Sequence, residues 1–290
     1  MGDNEWFMSQ ERSSKALTFV SLSISALAYG GGLWAMARTQ NAIAQTQPLR
    51  LVLTLSEAAL ALPALLAAAF LASRFPELYR FEALRPWAVS RTVALGLAFW
   101  ALSLGVFEAQ YVFVKPPLSY LEQFQGLHDL LKPRTPFDWI LSIGAIALAP
   151  AICEEILFRG LLTPVLRRVA GPTVAIAVSA ALFGLIHVDS MTNGAAAPTL
   201  VYYRVPFAFV LGLLLGKLRL DTGSLWPPII AHATLNATTF LVVLLVEEPR
   251  GILPDPQPLV AVSMLVVGSS AARWLMRQIR PAPSTATVTA

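Results

Sequence analysis

Residues 139–165 read WILSIGAIALAPAICEEILFRGLLTPV, and the reading of this run decides the fold. At about 1.5 Å per helical residue it is long enough to cross a hydrocarbon core of roughly 30 Å. Its second half nevertheless carries Glu154, Glu155 and Arg159. An apolar helix that keeps ionisable groups at membrane depth holds them toward other protein or a polar cavity, and such groups are functional candidates.

Working outward, seven further apolar runs have spanning length: 16–37, 50–73, 90–110, 172–189, 199–216, 225–246 and 259–276. The run at 199–216 is the weakest, because Arg204 and Pro206 interrupt it, but Gly212 and Gly216 have the spacing that lets two helices approach closely. Composition agrees. Of 290 residues 56% are apolar and 13% charged, against about a quarter charged in soluble domains, and the mean hydropathy is +0.63. Backbone groups in lipid must be satisfied within the protein, so helices are the expected elements. The fold class is therefore all-α, a polytopic membrane bundle of about eight transmembrane helices.

Charge orients that bundle. With eight spans, the N-terminus, the even-numbered loops and the C-terminus share one side. That side holds Arg12, Lys15, Arg74, Arg80, Arg85, Arg91, Arg167, Arg168, Lys217, Arg219, Arg273, Arg277 and Arg280. The other side holds the smaller set Arg38, Arg50, Lys115, Lys132, Arg134, Arg204 and Arg250. The excess puts both termini in the cytoplasm. The net charge of +4 then suits anionic lipid rather than nucleic acid, since no basic run with interleaved aromatics is present.

Smaller features follow. Ala35, Met36 and Ala37 resemble a signal-peptide cleavage site, but the preceding run is long and Asp3, Glu5 and Glu11 precede it, so a retained first helix is expected. Residues 116–133 place Leu118, Leu121, Phe124, Leu127 and Leu131 at helical spacing and suggest an interfacial helix, with His128 on its surface. The tail from Pro281 is expected to be disordered. Cys153, the only cysteine, excludes an internal disulfide and is expected to be a small buried packing residue. Glu57 and Glu108 lie near span ends, where they would reach the interface.

The intramembrane polar groups fall on three runs. Glu155 and Arg159 are four apart and pair on one helix face, leaving Glu154 about 100° away. The fifth run ends at Phe183 and His187, one turn apart, with Asp189 beside them in an orienting or loop role. The seventh carries His232 and Asn236, again four apart. A carboxylate and a histidine held together activate water. A second histidine and an amide NH₂ donate to a forming oxyanion. That set describes hydrolysis of a carbonyl compound without a covalent intermediate. The competing reading is that each group is a structural hydrogen bond between helices. Depth poses a difficulty, since His232 lies roughly 12 Å into its helix while His187 lies near the opposite end of its own run.

In order, these residues form an EExxxR pattern (Glu154, Glu155, Arg159), an FxxxH pattern (Phe183, His187) and an HxxxN pattern (His232, Asn236). The set resembles the CPBP family, which comprises the type II CAAX-prenyl endopeptidases and the bacteriocin-processing or immunity proteins. The resemblance covers about residues 139–240. It implies a glutamic intramembrane protease with an eight-helix core, with Glu154 as general base, His187 helping to activate water, and His232 and Asn236 stabilising the oxyanion. Glu155, Arg159 and Phe183 would support them. The family chooses Glu154 over Glu155; the residues alone do not.

The organisation expected is N-terminal helices and interfacial segment over 1–138, catalytic core helices over 139–246, a final span within 247–280, and a tail over 281–290. No HExxH or GxGD motif is present, and the bare GxS at 268–270 has no histidine after it. No cofactor is expected; a zinc site on one glutamate and two histidines is the disfavoured alternative. The partners expected are the lipid bilayer and a membrane-anchored or lipidated protein or peptide, cut near its C-terminus. Composition has a bacterial look, for which a C-terminal sorting helix or peptide precursor at the inner membrane would replace a prenylated cysteine. A non-proteolytic immunity or binding protein using the same pocket is the second reading, and an ion or proton transporter the third. No inverted repeat supports the last.

Overall fold

The structure is a computed structural model describing residues 2–44, 48–118, 122, 129–188, 197–245 and 255–279, with side chains from residue 16 onward and, in the sixth helix, from residue 201. Among them the long elements are all helices: α1 Gly2–Ile43, α2 Leu49–Leu71, α3 Pro86–Phe113, α4 136–170, α5 172–186, α6 Ala197–Thr222, α7 Trp226–Leu245 and α8 Pro258–Ile279. His128, Asp189, half of the expected interfacial segment 116–133 and the tail lie outside the described residues. Ala35 to Ala37 lie inside α1.

Helices α4 and α5 are one uninterrupted apolar stretch, Pro136–Ile186, which as a straight helix would reach about 77 Å. Gly171 divides it. Its φ of 80° and ψ of 172° are non-helical and open to glycine at no steric cost, and Pro172 starts the next helix with a preset φ. Contacts across the break prove a hairpin. Thr163 Oγ1 meets Ser179 Oγ at 3.0 Å, and Phe158 meets Phe183 with ring centroids 5.1 Å apart, each pair centred on residue 171.

The other loops sort to two ends. At one end the α2–α3 loop meets the α4–α5 hairpin and the α6–α7 turn. Arg168 pairs with Glu77 at 2.7 Å, Leu225 N donates to Arg80 O at 2.8 Å, and Glu82 N donates to Ser224 Oγ at 3.1 Å. At the opposite end Arg50, opening α2, reaches Ser142 Oγ at 2.7 Å and Asp138 at 3.2 Å on α4. A capping box starts α4 there: Asp138 N donates to Thr135 Oγ1 and Thr135 N to Asp138 Oδ2. Loops 2, 4 and 6 thus lie at one end, and the starts of α2 and α4, which follow loops 1 and 3, lie together at the other, as alternating helices require. The protein is an integral multi-pass membrane protein.

Close packing joins the neighbours. A Cβ at Gly212 of α6 would lie 2.8 Å from Ala180 Cα of α5, and one at Gly216 would lie 3.4 Å from Ile176. The expected close approach at this glycine pair is thus made between α5 and α6, and α6 runs unbroken through Pro206.

Candidate active site inside the bundle

Helix α4 departs from α-geometry twice, becoming π-helical at Gly144–Leu148 and Ile156–Leu162. The turn between them, Ala149–Glu155, carries the two glutamates, and Arg159 lies in the second π-segment. Such widened turns are frequent at functional sites. Here two contacts hold the segment from outside. Tyr79, in the α2–α3 loop with φ of 47°, sets its ring against Gly160, where a Cβ would lie 2.5 Å away. Its hydroxyl donates to Ala64 O at 2.8 Å, and burial pushes that phenol well above its ordinary range. Arg219 donates from Nε to Arg159 O at 3.2 Å and from Nη2 to Glu77 O at 2.7 Å. Arg219 is a buried tie and not a loop cation.

Inside, Glu155 is fully buried and engaged by two donors. Its Oε1 accepts from Arg159 Nη1 at 2.9 Å and from His232 Nδ1 at 3.0 Å. Since a carboxylate oxygen only accepts, His232 Nδ1 carries the hydrogen and Nε2 is turned away, toward Glu154 Oε2 at 3.8 Å. Arg159 also donates from Nη2 to Gly212 O at 3.0 Å, and its guanidinium stacks on Phe183 at 4.6 Å. The Glu155–Arg159 pair expected from spacing is therefore present and extends to a third helix through His232. Glu154 differs in that it is buried with neither oxygen accepting a hydrogen bond among the described residues, while Glu155 leaves only Oε2 without a partner.

His187 ends α5. Its Nδ1 lies 2.8 Å from Phe183 O, and a carbonyl only accepts, so Nδ1 carries the hydrogen and a neutral ring offers Nε2 as acceptor. The ring of Phe183 touches both histidines, at 5.0 Å from His187 and 5.9 Å from His232. The apparent conflict of depth disappears because a helix over 172–186 is only about 22 Å long. That is shorter than a hydrocarbon core of roughly 30 Å, and Phe183 contacts the rings of both histidines. Asn236 follows His232 by one turn on α7 and is half-buried. No group of three or more His, Cys, Asp or Glu among the described residues is arranged to hold a metal ion.

Two groups were not legible as part of this site. Glu57 does not reach the interface: it lies on α2 in register with Leu60, Ala61 and Ala64, all buried, and its Oε2 is buried without a hydrogen-bond partner. Arg204, half-buried on α6, acts electrostatically on both Glu154 and His187. Neither stands at a diagnostic spacing from another polar group, so only the packing of α2 and α6 could find them. Cys153 is half-buried, less enclosed than the small buried packing residue expected.

A multi-helix membrane protein with a buried carboxylate–histidine cluster belongs among intramembrane proteins that do chemistry or recognition at membrane depth. Comparison specifies which. Residues 136–238 match the family model described as type II CAAX prenyl endopeptidase Rce1-like. The match supports an endopeptidase role. No curated protein and no solved structure matches the chain.

Proposed function

We propose that the protein is a glutamic intramembrane endopeptidase that hydrolyses a peptide bond near the C-terminus of a membrane-anchored or lipidated protein. Glu154 takes a proton from water as its oxygen attacks the scissile carbonyl carbon, and His187 Nε2 orients that water. His232, as an imidazolium whose Nδ1–H stays on Glu155, donates from Nε2 to the oxyanion, and Asn236 donates from its amide NH₂. The C–N bond then breaks, and the proton held by Glu154 passes to the leaving amine. Glu155 and Arg159 hold His232 in place, and Phe183 walls the two imidazoles. No metal is required by this scheme. The Arg-rich end of the bundle faces the cytoplasm.

One observation supports the choice of base: Glu155 Oε1 is held by both Arg159 and His232, whereas neither oxygen of Glu154 accepts a hydrogen bond among the described residues. The test is cleavage of C-terminal reporters, a prenylated CAAX peptide and single-helix sorting tails, by purified full-length chain. Glu154→Ala and His187→Ala are expected to lose about 10²- to 10⁴-fold in kcat, with wild-type turnover indifferent to chelator. Retained turnover in Glu154→Ala would sink the assignment. A well-folded wild type that cuts no reporter shifts the reading to an immunity or binding protein using the same pocket.

A further inference from the structure

One carboxylate at membrane depth is left unexplained by the scheme above. Glu57 stands on the face of α2 that packs against α4, since Leu60, Ala61 and Ala64, at three, four and seven residues on, are buried. Helix α2 contacts both π-segments of α4 and the turn between them. The charges acting on Glu154 are, in decreasing order, Glu57, Glu155, Arg159 and Arg204. Those acting on Cys153 are Glu57 and then Glu154. Glu57, Cys153 and Glu154 thus form one cluster between α2 and α4.

Two buried carboxylate oxygens in that cluster, Glu57 Oε2 and Glu154 Oε2, accept no hydrogen bond. Around the cluster, Ser25 Oγ of α1 and Arg159 Nε have no hydrogen-bond partner and His232 Nε2 lies 3.8 Å from Glu154 Oε2, while three other groups are bonded elsewhere. Tyr79 donates to Ala64 O, two turns further along α2. Tyr29 of α1 donates to Leu182 O. Arg159 is bound to Glu155 and Gly212 O. Two carboxylates in one apolar pocket resist ionising together, and a proton retained by either removes the cost.

We propose that Glu57 is a positioning residue of the site, coupled to Glu154 so that the pair holds one proton in common. Its effect is to divide the first negative charge between a residue that can attack water's proton and one that cannot. Full activity then waits on the second ionisation. Titration of such a pair belongs to the pair and not to either member.

The experiment has two arms on the full-length chain. The first rests on the proposed protease activity and records kcat against pH for wild type and Glu57→Gln. Wild type is expected to rise in two steps. Glu57→Gln is expected to rise in one and to reach its plateau at least about one pH unit lower. The second arm needs no activity and uses the chain's single cysteine. The rate of Cys153 modification by methyl methanethiosulfonate is followed by mass spectrometry across pH. Above the pair's second ionisation wild type carries one more negative charge beside the thiol than Glu57→Gln does. There Glu57→Gln should react about tenfold faster, while below it the two rates should agree. Glu154→Gln should react faster than wild type by the same amount or less.

A pH profile and a thiol rate both unchanged in Glu57→Gln would overturn the coupling. So would a faster thiol in Glu154→Gln alone. If no reporter is cut, the thiol arm decides by itself, and failure of the protease reading stays separate from failure of this one. If Glu57→Gln does not fold, Glu57→Asp withdraws the charge by one methylene. Smaller shifts in the same directions support the pair, and none overturns it.

Discussion

The α3–α8 pair and the α4–α5–α7 cluster are both helix interfaces inside one bundle, and they are held together by opposite means. Between α3 and α8 the backbones touch: a Cβ at Gly268 would lie 2.5 Å from Leu102 N, and one at Gly105 would lie 2.7 Å from Leu265 N. The cluster at α4 is instead tied by Arg159, Glu155 and His232, with buried charges bonded across three helices. Lipid is as apolar as leucine, so helices in a membrane associate either through small residues that admit close packing or through polar groups that bond across the gap. The first device is cheap and leaves nothing reactive. The second keeps desolvated charge, which is costly, and it is where the candidate chemistry lies.

The largest effect should come from breaking the polar device. Arg159→Met leaves the Glu155 carboxylate buried without its strongest partner, a loss of about 3–5 kcal/mol. Thermal unfolding in a fixed detergent should register it, and turnover should vanish. Adding Glu155→Gln removes the stranded charge. The double variant is expected to recover much of the stability and none of the activity, because His232 loses the carboxylate that fixes its Nδ1 hydrogen. Recovery of both would mean that the network serves the fold alone.

These two devices were unequally legible in the sequence. Runs of apolar residues of spanning length placed every helix, with Gly171 in the gap between the fourth and fifth runs and Pro172 opening the fifth. Charged residues stand out against such a background, so Glu154, Glu155, Arg159, His187 and His232 could be picked without coordinates. What periodicity could not carry was distance along the membrane normal. The shortness of α5 decides that His187 meets the same phenylalanine as His232, and it follows from a glycine break and not from any spacing of polar groups. Glu57, Arg204 and Arg219 escaped for a related reason. Each stands near a span end, where a long charged side chain ordinarily reaches the interface. Only the neighbours from remote parts of the chain turn Arg219 inward onto Arg159 O and Glu77 O.

A middle-sized effect should come from the apolar device. Gly268→Ala forces a Cβ into the backbone of Leu102 and Ala98, and overpacking of this kind costs roughly 1–3 kcal/mol. Helix α8 packs on α3, away from the histidines, so the loss should appear in thermal unfolding while turnover per folded molecule and its pH profile stay as in wild type. A changed pH profile would show that the two interfaces are coupled.

The smallest effect tests where the two devices meet, at the loop that seats the π-segment. Tyr79→Phe keeps the ring on Gly160 and removes only the bond from its hydroxyl to Ala64 O, worth about 0.5–1.5 kcal/mol. The sign of its pH dependence is fixed by burial, which raises the phenol in the folded state above its ordinary value of about 10. A group so raised stabilises fully below that value and loses its contribution as pH climbs past it. Wild type should therefore be the more stable protein at neutral pH, with the gap to Tyr79→Phe closing above about pH 10. No gap at neutral pH would mean that the hydroxyl contributes nothing and that ring packing on Gly160 alone holds the segment.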